Sequence, residues 1–487
     1  MTDKRPADAA SEKLIVYSRS FAAVDGTAVV MIKEDGDRKL FAAGEGALLE
    51  ALEGEPESGG KLCPLTHANR VVLNRFFPFT APKPAGTRHP SFGLGDRLGC
   101  AIPGYIRAIR RKAVFPILAQ QSVGELIQTG RSFRDVVDEA AFAVFQEGYR
   151  DGYGADADRL RSEADMQMSV EQGATLLTFD TGDWLHYPVL SSDEEQLEAA
   201  YSRLSAETRK HYENRYLNQS FTVGGTRLSY NRTCLVRTVL LYERAVAEII
   251  RLYDKYIRLS SRPVELEIAL DGGLVPTSAE EHFLLANELY AKGMELFGVA
   301  PGLTGVFGKG VDFEGDPVLL EKELELHAAV ADHFGYKLCL HKAGNKFTVL
   351  PLLAEKTRGR FHIKTSGSGW LSAVKLAAEG EPFLYRLMHE YALEQVDEVS
   401  VYDPVSVRPD EIRPLNETPD VRLPDYLNDG PVRQMFYILY GRLLQAAGAD
   451  GQPLIRRDLV RLLTEREEDY AGMVAADIES HVKALGL

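Results

Sequence analysis

Cysteine is scarce in this chain. Four occur in 487 residues, at Cys63, Cys100, Cys234 and Cys339, without Cys-x-x-Cys spacing and far below the density of a disulfide-held scaffold. They are expected to be reduced and mostly buried. Long apolar runs are missing as well: no stretch approaches the roughly 20 apolar residues that a membrane helix needs, which argues against a membrane protein. Positive charge is in the minority, since 56 Lys and Arg face 71 Asp and Glu for a net charge of −15. With no long basic run, the sequence argues against partners that reward basic patches, nucleic acid and anionic membrane surfaces. An anionic small molecule must then be held by local cations. The opening residues, MTDKRPADAASEK, contain no apolar core of a secretory signal, so the chain is expected in the cytoplasm. Internal repeats and low-complexity tracts are also lacking.

What is present is the composition of a folded soluble protein, 45% hydrophobic and 26% charged. Short β-prone segments, LIVYS (14–18), AVVMIK (28–33) and KLFAAG (39–44), separated by Gly/Asp turns, predict a small α+β cap over residues 1–85 that follows a short tail. The Pro/Gly-rich run TAPKPAGTRHP (80–90) reads as a linker into the main domain. From there eight apolar runs alternate with helical patterns: SFGLGD (91–96), VFPILAQQ (114–121), TLLTFD (175–180), VELEIALD (264–271), LFGVAP (296–301), YKLCLH (336–341), RFHIK (360–364) and EVSVY (398–402). Eight β units separated by helices favour a (β/α)8 TIM-type barrel over an open doubly wound sheet, here spanning residues 86–410. The clearest amphipathic helix carries Leu235, Val239, Tyr242, Val246, Ile249 and Tyr253 at spacings of four and three. Another begins with a capping box at Ser278 and Glu281. The stretch 184–260 is too long for one crossover and reads as a helical insertion on the active face, and residues 411–487 as a helical segment packed on the barrel.

Strand alternation indicates which side chains face the barrel interior. In VELEIALD the aliphatic face leaves Glu265, Glu267 and Asp271 on the other; the same argument turns Asp180, His341, His362 and Lys364 inward. Asp180, Asp271, His341 and Lys364 thus converge at strand ends, where barrel enzymes place their chemistry and where unpaired buried charge is costly. A structural salt-bridge plug is the alternative. A histidine among carboxylates suits a divalent cation such as Zn²⁺, Mn²⁺ or Fe²⁺, although no HExxH-type spacing occurs. His282, inside an amphipathic helix, reads as a packing residue. GLGDRLG (93–99) breaks the dinucleotide-binding spacing because its third glycine falls one position late. KTSGSG (364–369) offers backbone donors for an anion, Gln120 and Gln121 in AQQS offer amides for sugar hydroxyls, and Arg131 in TGR adds a cation.

Taken together, SFGLGDRLGCAIPGYIRA (91–108), AQQS (119–122) with TGRS (129–132), FQEGYRDGYGADADRL (145–160), TFDTGD (178–183), PTSAEEHF (276–283), GKGVDFEGD (308–316), LHKAGNKFTVLP (340–351) and HIKTSGSGWL (362–371) resemble, in order, the tagaturonate epimerase family. The resemblance implies an isomerase of hexuronate catabolism that interconverts tagaturonate and fructuronate with a divalent metal. The inverted carbon there lies β to the ketone, so enolisation does not acidify its C–H, and retro-aldol cleavage, rotation and re-addition explain inversion. By resemblance Asp158 is the base, Glu267 the acid, and His341 a metal ligand; Asp180 and Asp271, from the inward-facing strand ends, are the further candidate metal ligands. Lys364 joins the catalytic set, and Arg97, Gln120, Gln121, Arg131, Lys346 and Thr365 hold the sugar acid. A homo-oligomer stays open.

The chain departs from the family pattern in three places: Arg159 stands where the family has His in ADADHL, Gly272 where it has Glu, and His341-Lys342-Ala343-Gly344-Asn345-Lys346-Phe347 where it has HSGSDKF, with Asn345 in place of Asp. A guanidinium has no lone pair for a metal, which opens a different metal shell, a different substrate or no metal at all. Two other functions are carried along: an aldolase-type carbon–carbon lyase with Lys364 as Schiff-base nucleophile, and a catalytically silent sugar-acid-binding paralogue.

Overall fold

The structure, a computed structural model, describes residues 14–273, 275–400 and 412–487. They fall into two compact units, one made of the residues up to Ala81 together with Asp138–Gly152, the other of Pro82–Val137 and Tyr153–Leu487.

The first unit is built on a five-stranded antiparallel sheet of β1 (Ile15–Val24), β2 (Thr27–Glu34), β3 (Asp37–Gly44), β4 (Glu55–Glu57) and β5 (Gly60–Pro64), in the order β1-β2-β3-β5-β4. Asp25-Gly26 and Asp35-Gly36 form its first two turns, all four residues having positive φ, the geometry that two-residue hairpin loops demand. Val29, Met31, Leu40, Ala42 and Cys63 pack with Leu73, Phe142 and Phe145 in one buried cluster. The unit therefore differs from the expected cap over 1–85. It gains residues 138–152, which supply two core phenylalanines, and Pro82 onward belongs to the second unit.

The second unit contains a closed parallel barrel. Its first four strands are β6 (Ser91–Leu94), β7 (Phe115–Ser122), β8 (Gly154–Leu160) and β9 (Leu176–Asp180). After β9 the insertion interrupts with helices Glu194–Ser202 and Ala206–Tyr216, the hairpin β10 (Ser220–Val223) and β11 (Thr226–Ser229), and helix Arg232–Tyr253. It is thus not purely helical. The barrel resumes with β12 (Glu265–Ala269), β13 (Gly298–Ala300), β14 (Lys337–Leu340) and β15 (Phe361–Thr365), and β15 pairs with β6 to close the ring. Helices follow the strands, as the (β/α)8 architecture requires. Leu235, Val239, Tyr242, Val246, Ile249 and Tyr253 are all buried on their helix, and Ser278 and Glu281 form both bonds of the capping box.

Seven of the barrel strands are those read from the sequence. The eighth is not: residues 398–400 end the helix Pro382–Ser400, and 401–402 lie outside the described residues. The ring already closes without them, leaving no edge to extend. The missing strand is β8, whose sequence GADADRL is rich in residues that strands disfavour.

The Pro/Gly-rich run read as a linker seals the N-terminal end of the barrel. Backbone N–H groups of Ala85 and Gly86 donate to the two Glu265 carboxylate oxygens, each at 2.8 Å, and Ala85 packs on Ile117, Leu176, Phe297 and Cys339. Inside, small residues make room for large polar ones. A Cβ on Gly93 would lie 3.1 Å from Lys364 Cγ, and one on Gly298 would lie 2.3 Å from Cys339 Sγ and 2.9 Å from the Lys337 carbonyl oxygen. The glycine of β6 therefore gives Lys364 its space, which explains SFGLGD without a nucleotide. The final helices are Gly430–Gln445, Arg456–Glu465 and Glu467–Ala484, preceded by a gap in the description at 401–411, where the expected boundary at 410/411 lies. Among the described residues no helix is long and apolar enough to cross a membrane.

Because the backbone of β14 bounds the Gly298 site, Gly298→Ala is expected to destabilise the protein by about 1–3 kcal/mol through overpacking. Urea unfolding followed by circular dichroism measures this; an unchanged midpoint would show that the strand can shift freely.

Candidate active site

At the C-terminal ends of the barrel strands lies a cavity of about 540 Å³ whose lining includes Gln120, Asp158, Arg159, Asp180, His341, Lys364 and Thr365. Lys364, on β15, is a buried part of its lining. Its ammonium lies 2.8 Å from Asp156 Oδ2, 3.0 Å from Asp158 Oδ1 and 3.3 Å from Glu267 Oε2, and it donates to Thr178 Oγ1 at 2.6 Å. Burial by itself would lower the amine, but the three carboxylates outweigh it and hold Lys364 well above the ordinary lysine range. The price of sharing one cation appears at Asp156, where burial, with Asp158 and Glu267 beside it, pushes the carboxyl up despite Lys364. Thr178 fixes the other Asp156 oxygen at 2.8 Å.

Glu267 is fully buried on β12 and meets His341 Nε2 at 2.5 Å through Oε1. Burial opposes its ionised form, yet Lys364 and His341 hold it well below the usual carboxylate range. It is not among the residues lining the cavity. The sequence-derived role of acid therefore does not suit it, because a locked carboxylate has no proton to give. His341 does suit that role. Its Nδ1 lies 3.1 Å from Asp271 Oδ1, and although burial pulls its pKa down, Asp271 and Glu267 raise it from 6.5 to about 9.

The three expected metal ligands, His341, Asp180 and Asp271, do converge, but on a guanidinium. Arg159 Nη2 donates to Asp271 Oδ2 at 2.5 Å and lies 3.0 Å from His341 Nδ1, and Nη1 reaches Asp180 Oδ2 at 3.5 Å. Asp271 is held well below the carboxylate range by Arg159 and His341 against the opposing effect of burial. Arg161 adds a bond to Asp180 at 3.1 Å. Among the described residues no group of three or more His, Cys, Asp or Glu side chains is placed to hold a metal ion. The residues present thus do not fit a divalent metal here, because the centre of the cluster is filled by a side chain that cannot lose its charge.

The expected substrate contacts divide. Gln120 and Thr365 line the cavity; Gln120 Nε2 donates to Asp158 Oδ2 at 3.2 Å, while Gln120 Oε1 and Thr365 Oγ1 are buried polar atoms with no partner. Arg97 also lines it but is engaged elsewhere, donating to Glu125 Oε1 at 3.0 Å and the Tyr437 carbonyl at 3.0 Å. Its guanidinium lies 3.7 Å from the Tyr440 ring centroid. Gln121, Arg131 and Lys346 are not among the lining residues. Arg131 donates to the Asp96 carbonyl at 2.6 Å, and Lys346 is surrounded by the carbonyls of Gly308, Val311 and Gly344. The insertion, expected over the active face, contributes no lining residue between 184 and 260; Tyr437, Ile438 and Tyr440 of helix Gly430–Gln445 do instead. His282 is a packing residue, bonded to His327 at 3.0 Å and Tyr336 at 2.7 Å. His362 meets Ser91 Oγ at 2.9 Å in the barrel interior. The sequence reading missed Asp156 and Arg161; Asp156 shares a strand face with Asp158, two residues on, and that signal was available once β8 was seen.

A model of the tagaturonate epimerase family matches residues 17–485. The chain belongs to that family. It is 33% identical over 475 residues, 96% of either chain, to the tagaturonate/fructuronate epimerase of Thermotoga maritima. Solved structures of the fructuronate-tagaturonate epimerase of Cohnella laeviribosi superpose with a TM-score of 0.95 at 45% identity; the native one covers 98% of both chains, and one complexed with a single glycerol covers 97% of this chain and 96% of that one. Family membership makes the chain an isomerase of the epimerase class acting on carbohydrates.

A histidine whose folded pKa is raised contributes stability that is fully present below about pH 6.5 and is lost as pH rises through about 9. The unfolding free energy of the wild type is therefore expected to exceed that of His341→Gln at pH 6, with the excess shrinking by about 3 kcal/mol by pH 10. Denaturant titrations at the two pH values measure it, and a difference that does not change with pH would mean that the folded imidazole is neutral.

Proposed function

We propose that this chain interconverts tagaturonate and fructuronate in the cytoplasm by retro-aldol cleavage, rotation of the aldehyde fragment and re-addition. The carrying observation is the pairing, in one cavity, of a carboxylate held in place by Gln120 and Lys364 with an imidazolium held by two carboxylates. Asp158 takes the proton from the hydroxyl on the carbon β to the ketone. The carbon–carbon bond breaks, its electron pair becomes the enediolate, and His341 donates to the oxygen that was the ketone. Rotation presents the other aldehyde face; the bond re-forms as His341 takes its proton back from the oxygen that becomes the ketone again, and Asp158 returns its proton to the new hydroxyl. The Gln120 and Thr365 oxygens meet the sugar hydroxyls, and Arg161, Lys309 and Lys342 form the positive rim for the uronate carboxylate.

The Schiff-base lyase fits less well, because a nucleophilic lysine must be neutral and Lys364 is clamped as an ammonium by three carboxylates. Trapping with borohydride and substrate is accordingly expected to leave the chain unmodified.

Incubation with either ketouronate, followed by NMR, is expected to give the same mixture from both directions. Asp158→Asn should lower kcat by about a thousandfold, and the wild-type rate should fall above about pH 9 as His341 loses its proton. Absence of interconversion from both starting compounds would refute the substrate assignment and favour a silent sugar-acid-binding protein.

A further inference from the structure

Arg159 sits at an irregularity in its strand. The pairing of β8 with β9 shifts register between Ala157 and Leu160, and Arg159 has φ +58°, a left-handed conformation that a long side chain adopts only when its surroundings fix it. In a regular strand Asp158 and Arg159 would point to opposite faces. The bulge brings both to the cavity.

The surroundings complete the arrangement. The carboxylates of Asp271 and Asp180 meet the guanidinium from the ends of β12 and β9 at 2.5 and 3.5 Å, and the His341 ring lies beside it with Nδ1 3.0 Å away. The two carboxylate contacts are hydrogen-bond separations around a planar fork. Across from the fork lies Gly272, where a Cβ would come 3.3 Å from Arg159 Nη1 and 3.3 Å from Asp180 Oδ1. A Cβ there would require these side-chain ends to give by a few tenths of an ångström. The arginine and the glycine therefore belong to one arrangement.

We propose that Arg159 takes the place of a divalent cation at the barrel mouth, so that the chain carries its own positive charge there and needs no metal for turnover. This rests on the epimerase reading above and assigns Arg159 a catalytic part in it. Its Nη hydrogens stabilise the oxygen that becomes negative as the carbon–carbon bond breaks, and the carboxylates of Asp180 and Asp271 hold the fork in place. Unlike a bound ion, this cation is not removed by chelation and does not dissociate.

Three measurements on the full chain test it. Calorimetric titration with Mn²⁺ and with Zn²⁺ after extensive chelation is expected to show no stoichiometric site in the wild type, whereas the double variant Arg159→His with Gly272→Glu should gain one. Turnover should survive chelation within twofold, Arg159→Ala should lose about a hundredfold in kcat, and added guanidinium should restore part of the loss. Arg159→Lys keeps the charge without the fork, and its kcat should fall with thermal stability nearly unchanged, which separates a folding defect from a chemical one. Stoichiometric metal binding by the wild type that disappears in Asp271→Asn would overturn the proposal, as would loss of turnover on chelation with recovery on adding metal. Should the wild type convert neither ketouronate, the substrate reading fails, and the calorimetric comparison still decides whether Arg159 has displaced the ion.

Discussion

One ammonium among three carboxylates organises the interior of this barrel. Lys364 is out of water, and so are Asp156, Asp158 and Glu267; removing any partner would strand a buried charge, a loss that commonly reaches several kcal/mol. The cluster dictates what surrounds it. Gly93 has no side chain because Lys364 needs the space, Thr178 is polar because Asp156 and Lys364 both need a partner, and Glu267 is tied on its other side to His341. Through His341 the same network reaches Asp271 and Arg159 at the mouth. Proton positions at the cavity wall are thus set in part by Asp156 and Glu267, two carboxylates that do not line the cavity.

The architecture was legible because apolar alternation is a physical necessity for a strand with one face in the barrel and one against helices. Where that pattern weakened, the reading failed. Strand β8 buries alanines outward and aspartates inward, so it carries little of the aliphatic signal, whereas Glu-Val-Ser-Val-Tyr looks like a strand and begins within the end of a helix. Glu265 was correctly turned inward but lies at the opposite end of the barrel from the cavity, since alternation gives the face of a residue and not its depth.

The candidate site was legible in its location and less so in its roles. Asp180, Asp271, His341 and Lys364 were expected together and lie together. Their partners decide what each does, and partners on other strands are invisible to a local pattern. That Arg159 enters the site depends on a bulge that alternation cannot show. That Arg97, Arg131 and Lys346 are occupied by carbonyls, a carboxylate and aromatic rings depends on loops and on a helix more than 300 residues away in sequence from the first of them. A cation near an active site was a sound expectation; which cation is left to face the ligand is a question of tertiary structure.

The grip of Arg97 on Tyr437 and Tyr440 also has a temporal side. Those rings belong to helix Gly430–Gln445, which follows all eight barrel strands in the chain, and they form part of the cavity wall. Chains are synthesised from the N-terminus, and the earlier parts of a large protein can fold first. During synthesis every barrel strand, and with it the whole Lys364 cluster, therefore emerges before the helix that supplies this wall of the cavity.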